Sequence, residues 1–227
     1  ATPILKNAKT PAFLVTNLTN IRFLTGVEMS AGIVLVHGKK ITLFADPRYT
    51  ESANRKSHKG IYVEDYDAVA KHLERIRRCA FESDSVTVSR LQAWQKKFPK
   101  TKFVPKLGVI EEFRRSKDPT ELKHFRKAQA ITKKILKKVP SALKRGITEQ
   151  ELAWKLEAWA RELGAEGLSF DPIVAFGTHS SSPHHHPSSR ALVKGHVVQI
   201  DVGAKVQGYC ADQSAVFFTD KKTPSQT

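Results

Sequence analysis

The chain has 227 residues, 40% of them hydrophobic, and its 38 Lys and Arg outnumber 22 Asp and Glu to give a formal net charge of +16. That length can bury one large core or two modest ones. No run approaches the roughly 18 to 20 apolar residues of a membrane helix and no signal-like segment opens the sequence, so a soluble, cytoplasmic globular protein with no membrane partner is expected. Cys79 and Cys210 share no CxxC spacing, so two free thiols are expected, with neither a disulfide framework nor a cysteine zinc site.

PAFLVTN (11–17) reads as a strand, and SAGIVLVHGKKITLFAD (30–46) as two β-rich runs about a hairpin turn at His37-Gly38-Lys39-Lys40. After Asp46-Pro47 the period changes. PRYTESANRK (47–56), YDAVAKHLERIRR (66–78) and LQAWQKKF (91–98) predict helices, while IYVEDY (61–66) and SVTVSR (85–90) predict short strands. This alternation describes an α/β domain over residues 1–112. The stretch KFVPKLGVIEEFRRSKDPTEL (102–122), punctuated by Pro105, Gly108 and Pro119, carries the expected boundary to a second domain over residues 113–227.

Asp118, Pro119 and Glu121 mark a helix start in that second domain. Ala128, Ile131, Ile135 and Val139 then recur at helical spacing, turning Lys133, Lys134, Lys137 and Lys138 to solvent. No interleaved aromatics accompany these lysines, so a solvated helix face is expected and nucleic acid is not an expected partner. Thr148 with Glu151 forms a capping-box pattern that opens a second helix, with Leu152, Leu156, Trp159 and Leu163 on one stripe and Gly164 as its stop.

Beyond it the pattern turns to strands and loops. HVVQID (196–201) ends in an acid, Gly203 and Gly208 allow a bend, and YCADQSAVFF (209–218) returns, so antiparallel pairing brings Asp212 beside Asp201. Neighbouring carboxylates repel, which leaves three readings: a shared proton, a bridging cation, or two solvated acids at a hairpin end. The loop FGTHSSSPHHHP (176–187) adds His179, His184, His185 and His186, imidazoles available to a metal or a substrate.

Residues 170–218, FDPIVAFGTHSSSPHHHPSSRALVKGHVVQIDVGAKVQGYCADQSAVFF, closely resemble the first half of the pita-bread metallopeptidases, in the Xaa-Pro aminopeptidase and prolidase branch. That family has a Phe-x-x-Ile-Val-Ala-x-Gly strand, a Pro-His loop, an Ile-Asp-x-Gly-Ala segment and a second aspartate at the spacing found here. LVTNLTNIRFLTG, ITLFADPRY and IEEFRRSKDPTELKHFRKAQAIT resemble its creatinase-type N-terminal domain and linker helix. The resemblance implies an α/β (α+β) fold: a creatinase-like N-terminal α/β domain (1–112), then the first half of a pita-bread catalytic domain (113–227).

The activity implied is metal-dependent release of an N-terminal residue preceding proline, by an Xaa-Pro aminopeptidase or Xaa-Pro dipeptidase. By the same resemblance Asp201 matches the aspartate that chelates one metal and Asp212 the aspartate that bridges two. His184 matches the histidine that hydrogen-bonds the substrate and steadies the tetrahedral intermediate, whereas His185 and His186 have no assigned partner. Two divalent ions are expected, Mn2+ first, with Co2+ or Zn2+ as alternatives.

Where the family reads Thr-Arg-Thr, this chain has Ser214-Ala215-Val216, so only the Ser214 hydroxyl remains to support the metal ligands. The family's remaining ligands, one histidine and two glutamates, belong to the second half of the fold. The expected enzyme is therefore incomplete as given and active only when that C-terminal half is supplied, either as a separate chain or because the sequence is a truncated form of a longer one. A proline-containing peptide is the expected substrate and a homodimer a further expectation. The alternative is a non-catalytic pita-bread module that binds peptides or histones. Asp201, Asp212 and His184 argue against it, because a pure binding module has no need of paired acids.

Overall fold

The computed structural model describes residues 1–219, and the chain divides between Ser116 and Lys117 into two units. In the first, the apolar runs form one sheet from β1 (Ala12–Val15), β2 (Gly32–His37), β3 (Lys40–Ala45), β4 (Ile61–Asp65), β5 (Arg78–Glu82) and β6 (Lys102–Lys106). Their order is β4-β3-β2-β1-β5-β6. β1, β2 and β3 pair antiparallel, while β4, β5 and β6 join in parallel. The accompanying helices are α1 (Thr2–Ala8), α2 (Leu18–Thr25), α3 (Thr50–Lys56), α4 (Val69–Leu73), α5 (Val88–Lys97) and α6 (Val109–Arg115).

All four β1 side chains are buried. Phe13 and Val15 pack with Ile4, Ile21 and Ile110, and Ala12 and Leu14 with Leu73, Phe81 and Phe103, as period two demands of a sheet covered on both faces. The hairpin expected at His37 to Lys40 forms, with those residues opposite one another and Gly38 at a φ of 58°.

Residues 85–90 are not the strand expected of them. Thr87 caps α5, its hydroxyl accepting the Arg90 N–H at 3.3 Å. The strand lies earlier, in Arg78–Glu82, and the helix expected over 66–78 gives way after Leu73. Val86, Thr87 and Val88 carry β-propensity, but capping chemistry overrides it, while Cys79, Ala80 and Phe81 are buried in the sheet interior. Both cysteines are free thiols, and burial pushes that of Cys79 up to about 12.

The second unit opens on α7 (Pro119–Ala142) and α8 (Glu149–Glu162). Each has a complete capping box, Asp118 with Glu121 and Thr148 with Glu151. Ala128, Ile131, Ile135 and Val139 of α7 and Leu152, Leu156 and Ala160 of α8 share one core. Trp159 and Leu163 are only partly buried against it. Lys133, Lys134 and Lys137 are exposed, and Lys138 pairs with Glu162 at 3.3 Å. Among the described residues no helix is long and apolar enough to cross a membrane.

Two small sheets complete this unit. β8 (Ile173–Phe176), β9 (Val197–Val202) and β12 (Gln213–Phe218) run antiparallel in the order β12-β9-β8. β7 (Gly167–Leu168), β10 (Ala204–Val206) and β11 (Tyr209–Cys210) form the other, in the order β11-β10-β7. The chain passes from β9 into β10 through Gly203, where a Cβ would lie 1.8 Å from the Ala211 carbonyl oxygen. Backbone has to move to admit any side chain there. Gly203→Ala is therefore expected to cost roughly 3 kcal/mol or more in urea unfolding, beyond the usual range for a surface substitution. A variant within about 0.5 kcal/mol of wild type would show that the crossing is not tight.

Candidate metal centre and histidine loop

The ladder between β9 and β12 sets the acids. Ser214 lies opposite Asp201 and Gln213 opposite Val202, so Asp212 is the diagonal neighbour of Asp201 on the same face. Sequence pairing brought the two acids together, but the residue directly across from Asp201 is Ser214. Asp212 and Ser214 are exposed, while Asp201 is half-buried and its Oδ1 is buried without a hydrogen-bond partner.

Burial first, and then the charge of Asp212, push the Asp201 carboxyl above the usual range, with the Ser214 hydroxyl and Val202 N–H pulling the other way. A half-buried carboxylate with an orphaned oxygen beside a second carboxylate is a place short of positive charge. Oxygen donors of this kind fit a hard divalent cation.

His184 stands apart from hydrogen bonding. It is exposed in the turn at Pro183 and His184, after the 3-10 segment Gly177–Ser181, and makes no side-chain hydrogen bond among the described residues. His186 is also exposed. His185, which the sequence left without a partner, has one: its Nε2 lies 2.8 Å from Glu149 Oε2.

Glu149 is the site residue that sequence reasoning missed. It is the first residue of α8, with its side chain 0% exposed. Oε1 accepts the Phe176 N–H at 2.8 Å and faces His179 Nδ1 at 2.9 Å; Oε2 accepts the Ser188 N–H at 2.9 Å and the Ser188 hydroxyl at 2.6 Å besides facing His185. Burial by itself would raise this carboxyl, but the Ser188 hydroxyl, His185, and the Phe176 and Ser188 N–H groups outweigh it and hold it down to about 2. The two N–H groups at the helix start are also satisfied from the loop, Glu149 N–H by Arg190 O at 3.1 Å and Gln150 N–H by Ser188 O at 3.1 Å. The only trace in the sequence was a second acid beside the capping-box Glu151, and both acids at a helix start read alike until burial separates them.

Glu149 and Asp201 give opposite dependences on pH. The folded-state value of Glu149 falls from 4.5 to about 2, so its contribution is full above the unfolded value and fades as pH drops toward the folded one. Glu149→Gln is expected to lose about 3 kcal/mol in urea unfolding at neutral pH, with the gap to wild type narrowing below about pH 4.5. A gap that stays constant down to pH ~2.5 would mean that its charge carries none of it. Asp201 is raised, so its ionised form costs stability above the unfolded value of 3.8 and costs nothing below it. Asp201→Asn is expected to raise the melting temperature of the EDTA-treated chain at neutral pH and to abolish any stabilisation by added Mn2+. A lower melting temperature would contradict the repulsion.

Residues 2–116 match the Creatinase/Prolidase N-terminal domain, and residues 123–227 match Metallopeptidase family M24. The uncharacterized peptidase YqhT of Bacillus subtilis is 33% identical over 206 residues, 88% of this chain and 58% of that protein. An Xaa-Pro dipeptidase from Bacillus anthracis superposes with a TM-score of 0.93 at 28% identity, covering 99% of this chain and 65% of that one. An X-Pro aminopeptidase from Thermotoga maritima superposes at 0.87 and 27%, covering 97% and 66%. The chain thus spans less than two thirds of the length of each of these proteins. With a domain of each kind following the other along it, the chain belongs to the Xaa-Pro aminopeptidase and prolidase family, which joins a creatinase/prolidase N-terminal domain to an M24 metallopeptidase domain.

Proposed function

We propose that this chain contributes the first two carboxylate ligands and the substrate-contacting histidine of a dinuclear metallopeptidase that releases an N-terminal residue preceding proline. The observation that carries the reading is the pair Asp201 and Asp212, one with a buried, unpartnered oxygen and a carboxyl raised by burial and by the other's charge. A binding surface gains nothing from such a repulsion, whereas a metal-binding pair is stabilised when its cations arrive. The solved relatives, named as an Xaa-Pro dipeptidase and an X-Pro aminopeptidase, support the substrate class.

Asp201 would chelate one ion and Asp212 bridge two, with Ser214 steadying Asp201 from across the ladder. The all-oxygen donors favour Mn2+, with Co2+ and Zn2+ as alternatives. Ions so held supply Lewis-acid polarisation of a carbonyl and water activation at neutral pH. Two carboxylates are too few donors for two such ions, so the reading requires further histidine and glutamate ligands, brought by the second half of the catalytic fold. His184, free of side-chain hydrogen bonds among the described residues, would donate to the scissile carbonyl oxygen and favour the charge that builds there as the carbon becomes tetrahedral.

Turnover is to be measured with Mn2+ on an Xaa-Pro dipeptide and an Xaa-Pro-Xaa tripeptide, the second catalytic half being supplied in cis or in trans; the preferred length separates dipeptidase from aminopeptidase. Asp212→Asn should lower kcat/KM by about a thousandfold or more together with Mn2+ content. His184→Ala should lower kcat by roughly a hundredfold with Mn2+ content unchanged. Undiminished cleavage by Asp212→Asn, or loss of Mn2+ in His184→Ala, would overturn the respective roles. No turnover by the wild-type assembly would overturn the peptidase reading in favour of a non-catalytic module.

A further inference from the structure

Among the described residues, one set of three metal-ligating side chains converges: Glu149, His179 and His185, whose donor atoms all lie within 4.8 Å of one another. We infer that these three form a second divalent-cation site, of zinc type and separate from the Asp201 and Asp212 pair, with His179 Nδ1, His185 Nε2 and the Glu149 carboxylate as ligands and solvent in the fourth position.

Two imidazoles and one carboxylate suit Zn2+ or Co2+, whereas Mg2+ and Ca2+ prefer oxygen alone. This chemistry differs from that of Asp201 and Asp212, so the two sites would sort ions differently.

The carboxylate is also preorganised. The Phe176 N–H, the Ser188 N–H and the Ser188 hydroxyl hold the Glu149 carboxylate whether or not either imidazole is present. Such outer partners orient a ligand before the ion arrives.

The distances are close to those an ion needs. His179 Nδ1 and His185 Nε2 lie 2.9 and 2.8 Å from the carboxylate oxygens, and the two rings stand 4.4 Å apart, tilted by 37°. Ligand atoms about 2.0–2.1 Å from a tetrahedral ion are about 3.3 Å from one another. Each imidazole would therefore retreat by roughly half an ångström to admit the ion. His179, with a side chain 33% exposed, has room for that and for a solvent ligand.

The protons balance. Facing an ionised acceptor, each neutral imidazole carries its proton on the nitrogen nearest Glu149. On binding, that proton passes through solvent to the ring's other nitrogen, freeing a lone pair for the ion with no net release. An ion held there would tie the first residue of α8 to two points of the histidine loop, one of them adjacent in sequence to His184. Its occupancy would then restrict the motion of His184.

The test uses the full chain carrying Asp201→Asn and Asp212→Asn, which removes the other carboxylate site. Titration with Co2+ at neutral pH should give one ion per chain with the visible absorption of a tetrahedral centre, and Zn2+ should displace it. Adding His179→Ala and His185→Ala should weaken binding by about a hundredfold. The single change His179→Asn leaves the His185 contact in place to preserve the fold, and should weaken binding by about tenfold or more. His184→Ala with His186→Ala should leave affinity unchanged. The inference is overturned by the absence of Co2+ binding tighter than millimolar in the parent, by binding that survives loss of His179 and His185, or by binding that depends on His184 and His186.

Discussion

At Gly203 the main chain leaves β9 so close to the Ala211 carbonyl that a methyl group would lie 1.8 Å from its oxygen. The Ala211 N–H bonds back to Ala204 O at 3.0 Å, so β10 and β11 form an excursion closed at its base. The Ala204 N–H is in turn received by the buried Thr132 hydroxyl of α7 at 2.9 Å. The chain that re-enters at Asp212 is thereby fixed in register with β9. Asp212, Ser214 and Val216 point outward, while Ala215 and Phe217 pack against the helical core. A slip of one residue would exchange those faces and bury the acid, which is why the register is tightly specified.

Glu149 and Asp201, both recessed in the second unit, have opposite solutions to the same problem. Glu149 lies fully buried, yet three donors besides the imidazoles compensate it and hold it ionised. Asp201 is less buried but has an orphaned oxygen and a like charge for a neighbour, so its carboxyl is raised. The first arrangement is complete within the chain and fixes a loop to a helix start. The second lacks positive charge, the condition under which a bound cation is stabilising. Neither acid differs in kind from the solvated acids elsewhere; their surroundings separate them.

Much of the second unit was legible along the chain because its signals are local. The capping boxes at Asp118 and Thr148 need only residues three apart, and the helix faces marked by Ile131, Ile135 and Leu152 follow from helical periodicity. The hairpin at Gly38 needs one glycine at positive φ between two β-rich runs. Reading failed where neighbours distant in sequence decide. The strand Arg78–Glu82 owes its place to burial between β1 and β6, and of the β-branched residues at 86–88 Thr87 caps a helix and Val88 opens it.

By itself the sequence determined the two helices of the second unit, the strand that ends near Asp201 and the run that follows Asp212, the spacing of those two acids, and the motifs that identify the family. These depend on contacts within a few residues or on patterns read in order. Only the tertiary structure decided that Ser214 faces Asp201, that Asp201 has an oxygen without a partner, and that Glu149 draws in His179 and His185. The physical reason is that burial and hydrogen-bond satisfaction are properties of the whole neighbourhood. Glu149 is 30 residues from His179 and 39 from Ser188, and no local pattern reports that those side chains meet.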